Sequence, residues 1–302
     1  MELKLSRRGF GVLTASVALA ALPGQSWAQI AGYANPQLLM EPEYLLGRVS
    51  ATQSSRPKYE QDGIILIDIR PIDAFAAGHI PGALHLDPNA VVAGNSPVDG
   101  ALKGLPELTG LLGATGVAAD RRVVLYDDKG GFHAARMLWL LEYLGHRNVA
   151  LLNGGWTAWD ALAGEVSKNM RAYPAARFDA AASPRRQATA DYILAQRDDA
   201  NTIVIDVRPP ELYQKGHIPW AINIPWSHNR TEDMRFKTAE QLQSHFEGFG
   251  VKHDRNIVLH CQTGLASAHS YVALRLLGYP RVRVYHRSWA EWGSDPSLPK
   301  AV

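Results

Sequence analysis

The sequence predicts an α/β protein of two tandem domains, each a parallel sheet flanked by helices on both faces. Three observations predict this class. The chain has 302 residues, about twice the usual ~150 residues of one domain. Its sequence contains an internal repeat, and short apolar β-branched runs alternate with helical patterns. With 46% hydrophobic and 20% charged residues, the composition is that of a globular protein rather than a disordered one.

The repeat is clearest in two similar stretches. They are ILIDIRPIDAFAAGHIPGALHL, from Ile65, and IVIDVRPPELYQKGHIPWAINI, from Ile203. Asp68 and Asp206 occupy equivalent positions, and each copy reaches a second similar run, VVLYDDKGG or IVLHCQTGL. Two copies of one unit of ~120 residues indicate a duplicated domain.

The repeat sets the predicted boundaries. We expect an N-terminal domain at 36–166 and a C-terminal domain at 187–300. The linker between them, 167–186, contains Pro174 and Pro184 and shows no clear period.

Within each copy, buried strands are expected to alternate with helices, which favours a parallel sheet. The predicted strands are Ile64–Ile67, Val123–Tyr126, Ile203–Ile205 and Ile257–Leu259. Helices are predicted at Ala134–Leu144 and Ala268–Leu277.

Residues 1–28 have the pattern of an export signal. Lys4, Arg7 and Arg8 precede a short apolar run, and small residues at Ser26 and Ala28 end it. The string SRRGF is similar to a twin-arginine (Tat) signal, although an ordinary Sec signal is the alternative. We therefore expect a periplasmic protein, with no membrane anchor once the signal is cleaved.

Cys261 is the one cysteine, and it stands where a predicted strand meets a helix. Sites of open α/β sheets lie at the carboxyl ends of their strands. Backbone N–H groups of the loop and the helix N-terminus favour a thiolate there. Gly264 suits the tight curve of this loop, and Ser267 is expected to be the N-cap of the helix. Alternatively, Cys261 is a small buried apolar residue.

These motifs resemble the tandem-domain rhodanese family, the thiosulfate and 3-mercaptopyruvate sulfurtransferases. The resemblance rests on both D-x-R…GHIP stretches, on HCQTGLAS and on SWAEWGSDPSLP, and it spans about residues 36–300. It implies that Cys261 takes a sulfane sulfur from a small-molecule donor as a persulfide. Cyanide or a thiol acceptor then removes that sulfur, without a cofactor. Asp127 replaces the cysteine in the first copy, which is therefore expected to be inactive.

The resemblance also implies roles for residues around Cys261. The loop would bind substrate through Gln262, Thr263, Gly264, Leu265, Ala266 and Ser267. Asp206 and Ser288 would support the site, and Arg208 would brace it and touch the anionic substrate. Because this loop lacks the basic residues common in the family, we expect Arg287 and His286 to supply positive charge, unless Arg287 points to solvent.

Other functional classes remain open at this stage. A cysteine phosphatase would need an arginine at the position of Ser267, so this class is disfavoured. A non-catalytic sulfur carrier would keep Cys261 but turn over poorly, and a purely structural duplicate would leave it inert. The near-balanced net charge of +2 predicts no nucleic-acid partner. The histidines show no spacing typical of a metal site.

Overall fold

The computed structural model describes residues 31–49, 57–172 and 174–302. The predicted export signal, 1–28, lies outside the described residues. The nine strands of the two sheets are β1 Leu39–Met40, β2 Ile64–Asp68, β3 Leu84–His85, β4 Arg122–Tyr126, β5 Val149–Leu152, β6 Thr202–Asp206, β7 Ile222–Asn223, β8 Asn256–His260 and β9 Val282–Val284.

Helices connect the strands. They are α1 Pro42–Leu46, α2 Lys58–Gln61, α3 Ile72–Ala77, α4 Leu105–Ala114, α5 Ala134–Tyr143, α6 Gly155–Ala161, α7 Ala190–Ala195, α8 Pro210–Tyr213, α9 Ala239–Gly248, α10 Leu265–Leu276 and α11 Ser288–Trp292. Short 3₁₀ turns lie at Pro36–Leu38, Pro184–Arg186 and Trp226–Asn229.

Each half of the chain forms its own parallel sheet, as predicted. The first has the order β1-β5-β4-β2-β3 and the second the order β7-β6-β8-β9. The central strands are apolar on both faces because helices cover both sides; all five residues of β2 are buried. The register pairs Asp68 with Tyr126 and Asp206 with His260. Asp127 and Cys261 therefore leave their sheets at equivalent points. The domain boundaries 36–166, 167–186 and 187–300 remain our proposal.

A shared apolar core joins the two halves. One cluster of buried side chains contains Leu125 and Trp139 from the first half and Leu259 and Tyr271 from the second. Helices α5 and α10 pack against each other there. Each sheet also has a smaller apolar cluster of its own on its other face. Since α5 and α10 follow the Asp127 and Cys261 loops, this packing brings each loop close to the opposite domain. In the described part of the chain, no helix combines the length and apolarity needed to cross a bilayer.

Candidate active site

The cysteine loop begins directly after β8. Cys261 is 3% exposed, and its Sγ accepts a hydrogen bond of 3.1 Å from the backbone N–H of Gly264. Gly264 has φ +85° and is the N-cap of α10. A Cβ at this position would lie 2.4 Å from the carbonyl oxygen of His286. Only glycine therefore allows this turn, which directs an N–H group and the positive end of the α10 dipole toward the sulfur.

Ser288 holds the other side of the cysteine. Its φ of +53° is rare for a residue with a side chain. Its Oγ accepts a hydrogen bond of 3.1 Å from the Cys261 N–H and donates one of 2.8 Å to the Tyr285 carbonyl. The same Oγ lies 3.9 Å from Sγ, and the Trp289 N–H donates to the Cys261 carbonyl at 3.0 Å. These bonds fix the cysteine backbone.

The D-x-R motif of the second copy, Asp206 and Arg208, forms a buried ion pair near this loop. Both Nε and Nη2 of Arg208 donate to the carboxylate of Asp206, at 2.6 to 3.0 Å. Nη2 also donates to the Gly216 carbonyl at 2.7 Å. The Arg208 guanidinium lies 4.7 Å above the Trp289 ring, so it reaches the cysteine loop through that tryptophan. The arrangement gives Asp206 and Arg208 a bracing position.

The remaining loop residues differ in exposure. Gln262 is exposed, whereas Thr263 and Leu265 are half-buried and Ala266 is buried. The backbone of Gln262 is fixed by the Ala290 N–H, which donates to its carbonyl at 2.9 Å. The side chains that can meet an incoming substrate first are therefore neutral ones.

Ser267 is not the N-cap of the helix, contrary to the sequence prediction. The helix begins at Leu265, because the left-handed conformation of Gly264 already ends the loop. Ser267 lies in the first turn of α10, fully buried, and its hydroxyl has no hydrogen-bond partner among the described residues.

His286 does not supply the positive charge expected of it. Burial, and then the nearby charges of Arg136 and Arg287, lower its pKa to about 3, so the ring is neutral at physiological pH. Its Nδ1 faces the side-chain amide of Gln187 at 3.3 Å. The prediction for His286 is therefore wrong, because desolvation outweighs any gain from carrying a charge.

Arg287 is half exposed, and its Nη1 pairs with Glu291 Oε1 at 2.6 Å. It lines a cavity of about 600 Å³ between the two domains, together with His286 and Lys103. Whether Arg287 serves the substrate stays a prediction.

A cation that the sequence did not single out comes from the other domain. Arg136, on α5, is 3% exposed. Its Nη2 donates to the carbonyl of Gly100, a residue in the loop between β3 and α4. A Cβ at Gly100 would lie 2.6 Å from the Thr263 carbonyl oxygen, so this loop rests on the cysteine loop. Burial lowers the pKa of Arg136 to about 10, and interaction with Cys261 opposes that shift. Arg136 remains charged at neutral pH.

The equivalent loop of the first domain already holds an anion. Oδ1 of Asp127 accepts 2.8 Å hydrogen bonds from the N–H groups of Lys129 and Gly131. Oδ2 accepts from those of His133, at 2.7 Å, and Ala134, at 2.9 Å. The carboxylate fills a cradle of four amides, so this loop has no thiol nucleophile, and these four donors are already occupied. Among the described residues, no three His, Cys, Asp or Glu side chains are grouped to hold a metal ion.

Comparisons with known proteins agree with this arrangement. A family model described as the rhodanese-like domain matches residues 51–162 and 189–295. The thiosulfate sulfurtransferase of Pseudomonas aeruginosa is 32% identical over 273 residues, which cover 88% of this chain and 97% of the relative. The 3-mercaptopyruvate sulfurtransferase of Escherichia coli is 30% identical and covers 74% and 84%. The sulfur carrier protein TtuD of Thermus thermophilus is 31% identical and covers 89% and 98%.

Among solved structures, the anaerobic ergothioneine biosynthesis enzyme of Chlorobium limicola has a similar fold, with a TM-score of 0.78. It is 22% identical, and the match covers 88% of this chain and 70% of that one. The family model matches two separate segments, one in each parallel sheet, and several relatives align over most of the chain. The chain belongs to the rhodanese family.

Proposed function

We propose that this protein is a sulfurtransferase that carries sulfane sulfur on Cys261. The observation that carries the proposal is the environment of the Cys261 Sγ, which accepts the Gly264 N–H at 3.1 Å at the N-terminus of α10. An amide donor and a helix N-terminus stabilise a sulfur anion without a metal. The named sulfurtransferase relatives support the same chemistry.

The reaction has two displacements. The Cys261 thiolate attacks the outer sulfur of thiosulfate, forming a Cys–S–S⁻ persulfide while the S–S bond of the donor breaks and sulfite leaves with its electron pair. Cyanide or a thiolate acceptor then attacks the terminal sulfur, and the thiolate of Cys261 is regenerated. With 3-mercaptopyruvate, a C–S bond breaks instead, and pyruvate forms after its enolate takes a proton. Thiosulfate or a related donor is our proposed substrate, with 3-mercaptopyruvate as the alternative.

The chain's own groups divide this work. The Gly264 N–H and the α10 terminus hold negative charge on sulfur. Ser288 fixes the backbone of Cys261, because its hydroxyl accepts from the Cys261 N–H and donates to the Tyr285 carbonyl. Covalent transfer through one cysteine predicts ping-pong kinetics.

Mass spectrometry after donor treatment tests the proposal. We expect Cys261 to gain about 32 Da, one sulfur atom, with thiosulfate or with 3-mercaptopyruvate, and to lose it when cyanide is added. Cys261→Ser should gain nothing. A wild-type protein that stays unmodified with both donors would overturn the proposal.

A sulfur carrier is the second candidate, because a relative of similar identity bears that name. A carrier would gain the persulfide but turn over slowly with cyanide. Steady-state assays with thiosulfate and with 3-mercaptopyruvate separate the two roles and select the donor.

We also propose that residues 1–28 direct export to the periplasm through the Tat pathway. Expression in a bacterium with and without a functional Tat translocon tests this. The mature protein should be recovered in the periplasm with an N-terminus near Gln29, and only when Tat is functional. Recovery without Tat would indicate Sec export, and cytoplasmic full-length protein in both strains would contradict export.

A further inference from the structure

Among the described residues, no carboxylate pairs with the buried arginine of α5. Arg136 is 3% exposed and follows two alanines in a helix whose next residues are Met137, Leu138 and Trp139. Its Nη2 hydrogen-bonds one backbone carbonyl, that of Gly100, and its Nε is buried without a partner. The salt bridges of the described residues do not include Arg136. A buried cation with so few partners is costly unless an anion accompanies it.

The anion-forming group that interacts with this guanidinium is Cys261. The connection is short, because Gly100 accepts from Arg136 and packs against Thr263, two residues after Cys261. Burial and then the positive charge of Arg136 lower the pKa of His286, so this ring is neutral. The cysteine loop itself contributes no charged side chain.

The two halves of the chain are pseudo-symmetric, and a charged residue stands at this helix position in the first half but not in the second. His269 of α10 occupies the position equivalent to Arg136, five residues after the positive-φ glycine of its loop. Its Nε2 lies 3.0 Å from the Gly130 carbonyl oxygen, and burial lowers its pKa to about 3. The Asp127 cradle that the second domain faces already has its own carboxylate. A neutral histidine therefore faces the filled cradle, and an arginine faces the cysteine loop.

We propose that Arg136 is the cation of the active site, supplied in trans by the catalytically inactive domain. Arg136, in the same chain as Cys261 but in the other domain, stabilises the Cys261 thiolate. It also binds the anionic group of the sulfur donor, a sulfonate or a carboxylate. The planar guanidinium suits both groups, since each offers two oxygens to its N–H fork. This inference rests on the proposed function, but its effect on the thiol can be measured separately.

Three variants test it: Arg136→Gln removes the charge, Arg136→Lys keeps it, and Arg147→Gln is the control. Arg147 is exposed and lies in the same domain, so its replacement changes the net charge equally. We expect R136Q to raise the KM for thiosulfate at least ~10-fold. The pH dependence of Cys261 alkylation by iodoacetamide should move upward by at least about one pH unit. R147Q should resemble the wild type in both.

R136K makes the test independent of whether R136Q folds. A buried lysine loses its proton more readily than arginine, so the KM of R136K should rise with pH in a range where the wild type is flat. Cys261, His133 and His286 are the titratable groups that interact with Arg136, and Arg287 in turn interacts with His286. A structural role alone would lower the unfolding temperature and leave both pH profiles unchanged, and that result would overturn the proposal. If no persulfide forms in the wild type but the alkylation profile of R136Q still shifts, the proposed function fails while the charge assignment stands.

Discussion

The carboxylate of Asp127 should contribute several kcal/mol to the stability of the fold. It accepts four backbone hydrogen bonds of 2.7 to 2.9 Å and is fully buried. Replacing it with asparagine keeps the shape and one oxygen. The other oxygen becomes an NH₂ group that points at the N–H groups of His133 and Ala134, so two acceptor contacts become donor–donor contacts.

The magnitude follows from those two contacts. A hydrogen bond to a charged group contributes roughly 1.5 to 3 kcal/mol net. Asp127→Asn should therefore lower the free energy of unfolding by about 3 to 6 kcal/mol, a large part of the usual 5–15 kcal/mol of a folded protein. Because α5 begins at Ala134, the loss falls on the helix that packs against α10.

Urea denaturation followed by tryptophan fluorescence measures this change. Asp120→Asn is the matched control, since that carboxylate is 76% exposed and its loss should cost less than about 0.5 kcal/mol. D127N that remains folded should still form the persulfide on Cys261. An unfolding free energy of D127N within 0.5 kcal/mol of the wild type would refute the reasoning that the carboxylate neutralises the cradle.

Three further predictions concern the site and its pH dependence. Gly264→Ala should abolish persulfide formation, measured by mass spectrometry, because its Cβ would lie 2.4 Å from the His286 carbonyl oxygen; retained loading would contradict the tight turn. Burial lowers the pKa of His269 and His286 to about 3. The unfolded chain binds these protons near pH 6.5 and the folded one does not, so stability should fall as pH falls from 6.5 toward 3, and His269→Gln should reduce that slope in urea titrations. Burial raises the pKa of Glu41 to about 7, although Arg235 opposes it. Its folded form holds a proton that the unfolded form loses near pH 4.5, so this group destabilises by up to about 3 kcal/mol as pH rises from 4.5 to 7. In Glu41→Gln that component should disappear; an unchanged slope would exclude Glu41 as its source.

Local patterns were sufficient to predict the sheets and the position of Cys261. Continuous apolar β-branched runs identify strands that are covered on both faces, and the observed strands extend the predicted ones by one or two residues. The repeat then placed Asp127 and Cys261 at equivalent strand ends, as the register shows.

Features that depend on precise backbone conformation or on domain packing were not predictable in this way. Ser267 was assigned as the N-cap because of its side chain, whereas the positive φ of Gly264 begins the helix earlier. Arg136 was missed because it lies 125 residues before Cys261 and comes close to the cysteine loop only when α5 packs against α10. A signal was present in the sequence, since Arg136 is a single arginine near the start of an otherwise apolar helix, and such an arginine requires a partner when the helix is buried.

The filled cradle of the first domain also sets how much sulfur one molecule can store. A carboxylate tethered within its own loop competes at an effective concentration that a dissolved anion rarely matches. In the part of the chain that the structure describes, thiosulfate, sulfite and similar ions are therefore expected to bind at the Cys261 loop and not at the Asp127 loop. Loading should saturate at a single sulfur equivalent, however large the excess of donor.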